Sequence, residues 1–347
     1  MSDYAAMQFG IFDILQVDPE RPTRAILNDR LAQHRYADEL GLDYIFVAER
    51  HFMPFYRAAT PSVLLATLAS TTSNARLGTM AYTLALHHPV LLAEEISALD
   101  HLSNGRLEVG VGLGHRPEEI AAIGLPAEHR QAIFLECLTM MLEMWTGRPV
   151  TRDGGLYHLR DVLVDPPLQR PHPPLWYAGN DPKIAGWARQ FGLSLALGFQ
   201  PDEALRAPAE AFRAVEPKVE MPSRLALMRH IYVAETEEQA REEIIDDLMR
   251  LGAELAANPR GIPNVPSQPP TRAEAERQYL EQRERQIVVS GDAEEVAQAL
   301  AASTRTLGLD VFLANVHLMG VEDARIRRTL RLYADEVAPR VRELLAE

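Results

Sequence analysis

The chain has 347 residues, enough for about two average domains or one large α/β barrel. Hydrophobic residues make up 47% and charged residues 24%, an ordinary globular composition, and 49 acidic against 35 basic residues give a net charge of −14, which argues against a protein that binds nucleic acid through a basic face. A single cysteine, Cys137, excludes an internal disulfide framework and any Cys-rich metal site, and no apolar run reaches the roughly 18 residues of a membrane span.

The N-terminal MSDYAAMQFGIF lacks a basic region followed by a long apolar core, so a cytoplasmic protein is expected. Met7 to Phe12 reads as a first strand. Thr23 to Leu40 is amphipathic and Gly41 ends it as a C-cap would. Tyr44 to Ala48 reads as a buried strand, Pro61 to Thr72 as a helix with Pro in its first turn, Leu77 to Leu86 as a strand and Pro89 to Leu102 as a helix. Leu107 to Gly112 is a glycine-bearing strand, and Ala127 to Trp145 a long helix that carries Cys137 on its core side.

Pro174 to Ala178 and Ser194 to Leu197 are short strands around a helix at Pro182 to Gln190. Leu225 to Ala234 is a strand and Glu237 to Ala257 a helix. Asp292 to Leu307 (helix), Val311 to Ala314 (strand) and Glu322 to Leu345 (helix) close the chain. Strands that alternate with helices pair in parallel, because a parallel pair needs a crossover. Eight such units predict a (β/α)₈ TIM barrel with insertions, read as one domain over residues 1–347. Two stretches break the rhythm. Gly147 to Pro174 reads as a small hairpin-like insertion and a linker, and the proline-rich Asn258 to Thr271 as either a disordered excursion or a lid over the barrel mouth.

Barrel enzymes build their sites at the C-terminal ends of the strands. After strand two come Glu49, Arg50 and His51, three ionisable groups that must face a polar pocket or pair with one another. Strand three ends around Met80 and Ala81. Strand four ends in Gly110, Gly112 and Gly114, followed by His115, Arg116 and Glu119; alternating glycines admit a flat ligand or another backbone. After the next strand, Gly179, Asn180 and Lys183 open a helix, an arrangement suited to phosphate. There is no serine nucleophile elbow, H-E-x-x-H or paired cysteine. The chemistry therefore points to an organic cofactor, with no metal.

Glu49-Arg50-His51-Phe52, Gly78-Thr79-Met80-Ala81 and the block His88-Pro89 through Leu99-Asp100-His101-Leu102-Ser103-Asn104-Gly105-Arg106 to Gly112 carry a resemblance. Weaker matches are Val289-Ser290-Gly291-Asp292 and Tyr333-Ala334-Asp335-Glu336. With these, the chain resembles, nearly end to end, the bacterial luciferase-like superfamily of flavin-dependent monooxygenases and F420-dependent oxidoreductases. The resemblance implies FMN across the barrel mouth, its ring near a cis Met80–Ala81 peptide and Gly112, and its phosphate at Gly179, Asn180 and Lys183. It implies reduced FMN from a separate flavin reductase, O₂ as co-substrate, a small organic substrate and a homodimer, with no nucleic-acid or membrane partner. F420-dependent hydride transfer and a non-catalytic flavin-binding relative are the alternatives. The luciferases proper carry Glu-His-His-Phe after strand two; Arg50 stands at the first histidine. Because arginine cannot act as a base, proton transfer is assigned to His51, with His115 and Glu119 in support. Arg50 is left to an anionic substrate, an oxyanion or an ion pair with Glu49.

Overall fold

The computed structural model describes residues 7–17, 21–53, 56–114, 116–219, 221–257, 267–317 and 321–347. Eleven strands form among them: β1 (Gln8–Asp13), β2 (Tyr44–Val47), β3 (Arg76–Thr83), β4 (Leu107–Gly112), β5 (Val150–Arg152), β6 (Leu159–Val162), β7 (Leu175–Ala178), β8 (Ser194–Gly198), β9 (Leu225–Val233), β10 (Val288–Gly291) and β11 (Val311–Asn315). The helices are α1 (Thr23–Glu39), α2 (Pro61–Thr71), α3 (Pro89–Leu102), α4 (Pro117–Ala122), α5 (Arg130–Met144), α6 (Pro182–Gln190), α7 (Asp202–Arg213), α8 (Glu237–Ala257), α9 (Arg272–Glu284), α10 (Ala293–Leu307), α11 (Asp323–Leu332) and α12 (Ala338–Ala346).

Eight strands close into a parallel barrel in the order β1-β2-β3-β4-β7-β8-β9-β11, with β11 returning to β1. The expected (β/α)₈ barrel is thus the observed fold. Inward-pointing Phe12, Tyr44, Phe46, Ala48, Met80, Trp176, Ala196, Ala226, Met228, Val311 and Leu313 fill its interior, as bulky side chains do in such barrels. The outward faces pack against the helical layer in a second, larger core that includes buried Cys137. Within Gly147 to Pro174, β5 and β6 pair antiparallel.

Several elements escape the sequence pattern. Helix α7 carries Pro208 in its interior, a residue that argues against a helix. Helix α9 is mostly charged and buries only Ala275 and Tyr279, one turn apart. Strand β10 is four residues long and adds to the far end of β9, at His230 to Val233. The single closing helix expected at Glu322 to Leu345 is interrupted by a π-helical segment, Tyr333–Val337. That wide turn precedes Pro339, which has no N–H to give to a regular ladder. No described helix is long and apolar enough to cross a membrane.

Candidate active site

A cavity of about 490 Å³ opens at the C-terminal end of the barrel, within the roughly 300–1,000 Å³ usual for small-molecule sites. Phe12, Met80, Ala196 and Met228, with Phe199 packed against them, form its floor at the top of the barrel core. Its wall includes Arg50, Ala81, Thr83, Gly112, Leu113, Gly114, Arg130, Tyr177, Gly179 and Asn180.

The β3–β4 seam shapes one side. Register runs Thr79 to Val109, then Tyr82 to Val111, so Met80 and Ala81 stand opposite Gly110 alone. The Met80–Ala81 peptide is cis, as the resemblance implied. A Cβ on Gly110 would lie 2.1 Å from the Thr79 carbonyl oxygen, so only glycine fits there. Gly112 lies on the cavity wall, where a Cβ would meet the Ala81 Cβ at 3.6 Å and the Gly114 amide nitrogen at 4.0 Å, both ordinary contacts.

Glu49 is buried, 1% exposed. The Thr83 amide donates to its Oε2 at 2.5 Å, and His87 Nε2 lies 2.6 Å from its Oε1. His51 Nε2 stands 3.3 Å from the same Oε1, an ion-pair contact and not a well-formed hydrogen bond. Burial pushes the Glu49 pKa up, but His51, His87 and the Thr83 amide outweigh it and bring it to about 2. In return Glu49 raises the His51 pKa, against the effect of burial. His87 enters this cluster from the 3₁₀ turn after β3, and the sequence reading did not include it. Its signal was the adjacent His87-His88 pair.

The Glu49–Arg50 ion pair left open by the sequence is not formed. Arg50 gives an NH1 hydrogen bond to the Glu49 carbonyl oxygen at 2.9 Å and lines the cavity, whereas Glu49 and His51 are not among the lining residues. Glu119 is buried near Arg50 and pairs with Arg116 at 3.6 Å. His115 lies outside the described residues, as do residues 258–266 of the expected lid.

At the opposite side of the mouth Gly179 and Asn180 line the cavity, but several polar groups of the expected phosphate site are engaged within the protein. Gly179 N–H donates to the Ala196 carbonyl. The Asn180 side chain exchanges two hydrogen bonds with the Gly198 backbone, at 3.0 and 3.1 Å. Asp181 caps α6 by accepting from Lys183 N at 2.8 Å, and the Lys183 side chain is exposed and off the wall. The cation that faces the cavity here is Arg130. It lies one turn before Phe134 on α5, and Phe134 packs edge-on against Tyr177 and Trp187. Among the described residues no carboxylate oxygen comes within 4.0 Å of Arg50 or Arg130.

A second polar cluster lies on the outer side of the β1 rim. Asp13, His34 and His317 bring their polar atoms within 4.8 Å of one another, all buried. Arg30 Nε stands 3.8 Å from Asp13 Oδ2 and already balances that carboxylate. A divalent ion would therefore add two uncompensated charges to a closed interior.

A glycine-lined wall, a charged rim and an apolar floor at the C-terminal end of a (β/α)₈ barrel form a site of the kind barrel enzymes use. The model of the family described as luciferase-like monooxygenase matches residues 7–310, and the chain belongs to that family. It is 30% identical to a 4-hydroxyprotoasukamycin monooxygenase of Streptomyces nodosus subsp. asukaensis, over 88% of this chain and 84% of that one. It is also 30% identical to the oxygenase component of a flavin-dependent trigonelline monooxygenase of Acinetobacter baylyi, over 68% of this chain and 67% of the relative. The oxygenating constituent of a 3,6-diketocamphane monooxygenase of Pseudomonas putida, solved in complex with FMN, superposes with a TM-score of 0.78 at 20% identity, covering 96% of this chain and 98% of that one.

Proposed function

We propose that the protein is the oxygenase component of a two-component, FMN-dependent monooxygenase that acts on a small organic substrate. One observation carries this reading. The mouth cavity combines an apolar floor and a glycine-lined wall with Arg130, which among the described residues has no carboxylate oxygen within 4.0 Å. A planar, phosphate-bearing cofactor matches that combination. Arg130, at the Gly179 side, would hold the phosphate; Asn180 acts on the frame, tying the β7 end to Gly198. When bound, reduced FMN supplies the activation of O₂ and the delivery of one oxygen atom.

The protein contributes the surroundings. Phe12, Met80, Phe199 and Met228 keep water from the floor. His51, its pKa raised by Glu49, is shifted toward its protonated form beside the mouth. Glu49 fixes the ring of His51 and is itself fixed by Thr83 and His87. A separate flavin reductase would supply reduced FMN, consistent with the relative named as an oxygenase component. Association as a homodimer is also proposed, because Val63 on α2 and Leu91 and Leu102 on α3 are 65%, 64% and 59% exposed. Apolar side chains this open on two neighbouring helices suit an isologous contact.

The test is a fluorescence titration of the purified protein with FMN, riboflavin and F420. FMN binding at least about tenfold tighter than riboflavin supports the reading, since a charge-assisted contact is worth about 1.5–3 kcal/mol. Preference for F420, or no flavin binding at all, refutes it.

A further inference from the structure

The wall of the mouth cavity carries two guanidinium groups and no acidic side chain. They belong to opposite sides. Arg50 follows β2, while Arg130 opens α5 against Tyr177 of β7, with β3 and β4 between them. If FMN occupies the site as proposed above, its single phosphate accounts for Arg130. Arg50 then remains with no anion in direct contact among the described residues.

The bonding of Arg50 sharpens the point. A guanidinium has five N–H donors. Among the described residues the Arg50 side chain makes one hydrogen bond, to the carbonyl oxygen of its own neighbour Glu49. Glu49 and Glu119 both act on it electrostatically, but among the described residues neither brings an oxygen within 4.0 Å of it. Glu49 is held by Thr83, His87 and His51, and Glu119 is shared with Arg116 at 3.6 Å. Arg50 is half-buried, and it lines the same cavity as Met80, Ala81 and Thr83. A partly desolvated cation with spare donors at the edge of an apolar cavity selects an anion, and its planar fork matches a carboxylate in particular.

We propose that the substrate is a small organic acid whose carboxylate is held by Arg50, with its uncharged portion over the apolar floor of Phe12, Met80, Phe199 and Met228. This rests on the FMN reading of the site. Arg50 thereby fixes both which substrates bind and which end of them is presented for oxidation.

The experiment uses the full chain loaded with FMN. Benzoate, phenylacetate and hexanoate are each titrated beside the matching amide, and binding is read from the FMN difference spectrum and by calorimetry. At least one acid should bind about tenfold or more tighter than its amide. Arg50→Gln should abolish that preference and Arg50→Lys should keep part of it. FMN affinity and thermal melting should stay near those of the parent protein, showing that the fold is intact. The proposal is overturned if no acid outbinds its amide, or if the preference survives Arg50→Gln. It is also overturned if Arg50→Gln leaves acid binding alone and weakens reduced FMN tenfold, which would assign Arg50 to the charge of the reduced ring. Absence of FMN binding in the parent protein would remove the cofactor reading and this proposal with it, whereas FMN binding without acid preference removes only the proposal.

Discussion

Replacing Glu49 by Gln tests the central cluster of the mouth directly. The substitution keeps the size and an acceptor for the Thr83 amide but removes the charge that faces His51 and His87. A carboxylate lowered from 4.5 to about 2 corresponds to about 3 kcal/mol of folding stability at about 1.4 kcal/mol per unit. Glu49 is 1% exposed, so solvent screening subtracts little. The sign follows from the direction of the shift. The Glu49 contribution is complete above the unfolded carboxylate pKa near 4.5 and is lost as the pH falls toward 2. His51 is raised, so its share is complete below its ordinary value of 6.5 and fades as the pH rises through the raised one. Urea unfolding at pH 5 to 6 should therefore show the variant destabilised by about 2–3 kcal/mol, with the difference shrinking under acid conditions. A proton NMR titration of the His51 ring, assigned by comparison with His51→Gln, should show its pKa fall in Glu49→Gln. If His51 titrates at the same pH in both proteins, Glu49 is not what holds its proton, and the account of the cluster fails.

Arg130→Gln should weaken FMN about tenfold or more while leaving riboflavin nearly unchanged; Lys183→Ala should change FMN affinity far less, because that side chain is off the cavity wall. Equal loss of FMN and riboflavin in the Arg130 variant would remove the residue from the phosphate end. Asn180→Ala deletes both bonds to Gly198 and should cost about 1–3 kcal/mol in denaturant unfolding; a neutral result would mean that the β7 and β8 ends need no such tie. Light scattering at micromolar concentration should report a dimer, and Leu91→Glu should shift it toward monomer. A monomeric parent protein would end the claim of association through α2 and α3.

The barrel was legible because its strands are short, continuous apolar runs and its principal helices start at Pro61, Pro89 and Pro182, all confirmed as first-turn positions. The site was legible in its addresses and less so in its directions. Glu49, Arg50 and His51 follow β2 as expected, yet the chain turns there, with Phe52 at φ 56°, and Arg50 alone of the three reaches the cavity wall. The Glu49–Thr83 contact spans 34 residues and leaves no local pattern. Arg130 was invisible for a similar reason: its position depends on how α5 folds back onto Tyr177 and Trp187, and nothing in its sequence neighbourhood marks it. At Gly179 to Lys183 the pattern of a phosphate site was present, but Asp181 takes the Lys183 amide and the Asn180 side chain is tied to Gly198.

Strand β4 also separates two ways of changing a binding site. At Gly110 the space for a side chain is taken by the Thr79 carbonyl, so any replacement disturbs the β3 backbone and with it the barrel. Two residues on, at Gly112, a methyl group would find ordinary contact distance to Ala81 and would project into the cavity. Volume can be withdrawn there one carbon at a time without touching the strand pairing. Drift in substrate size among variants of this protein should therefore run through position 112 while position 110 stays fixed, which makes Gly112→Ala and Gly112→Ser the natural first steps in reshaping what the enzyme accepts.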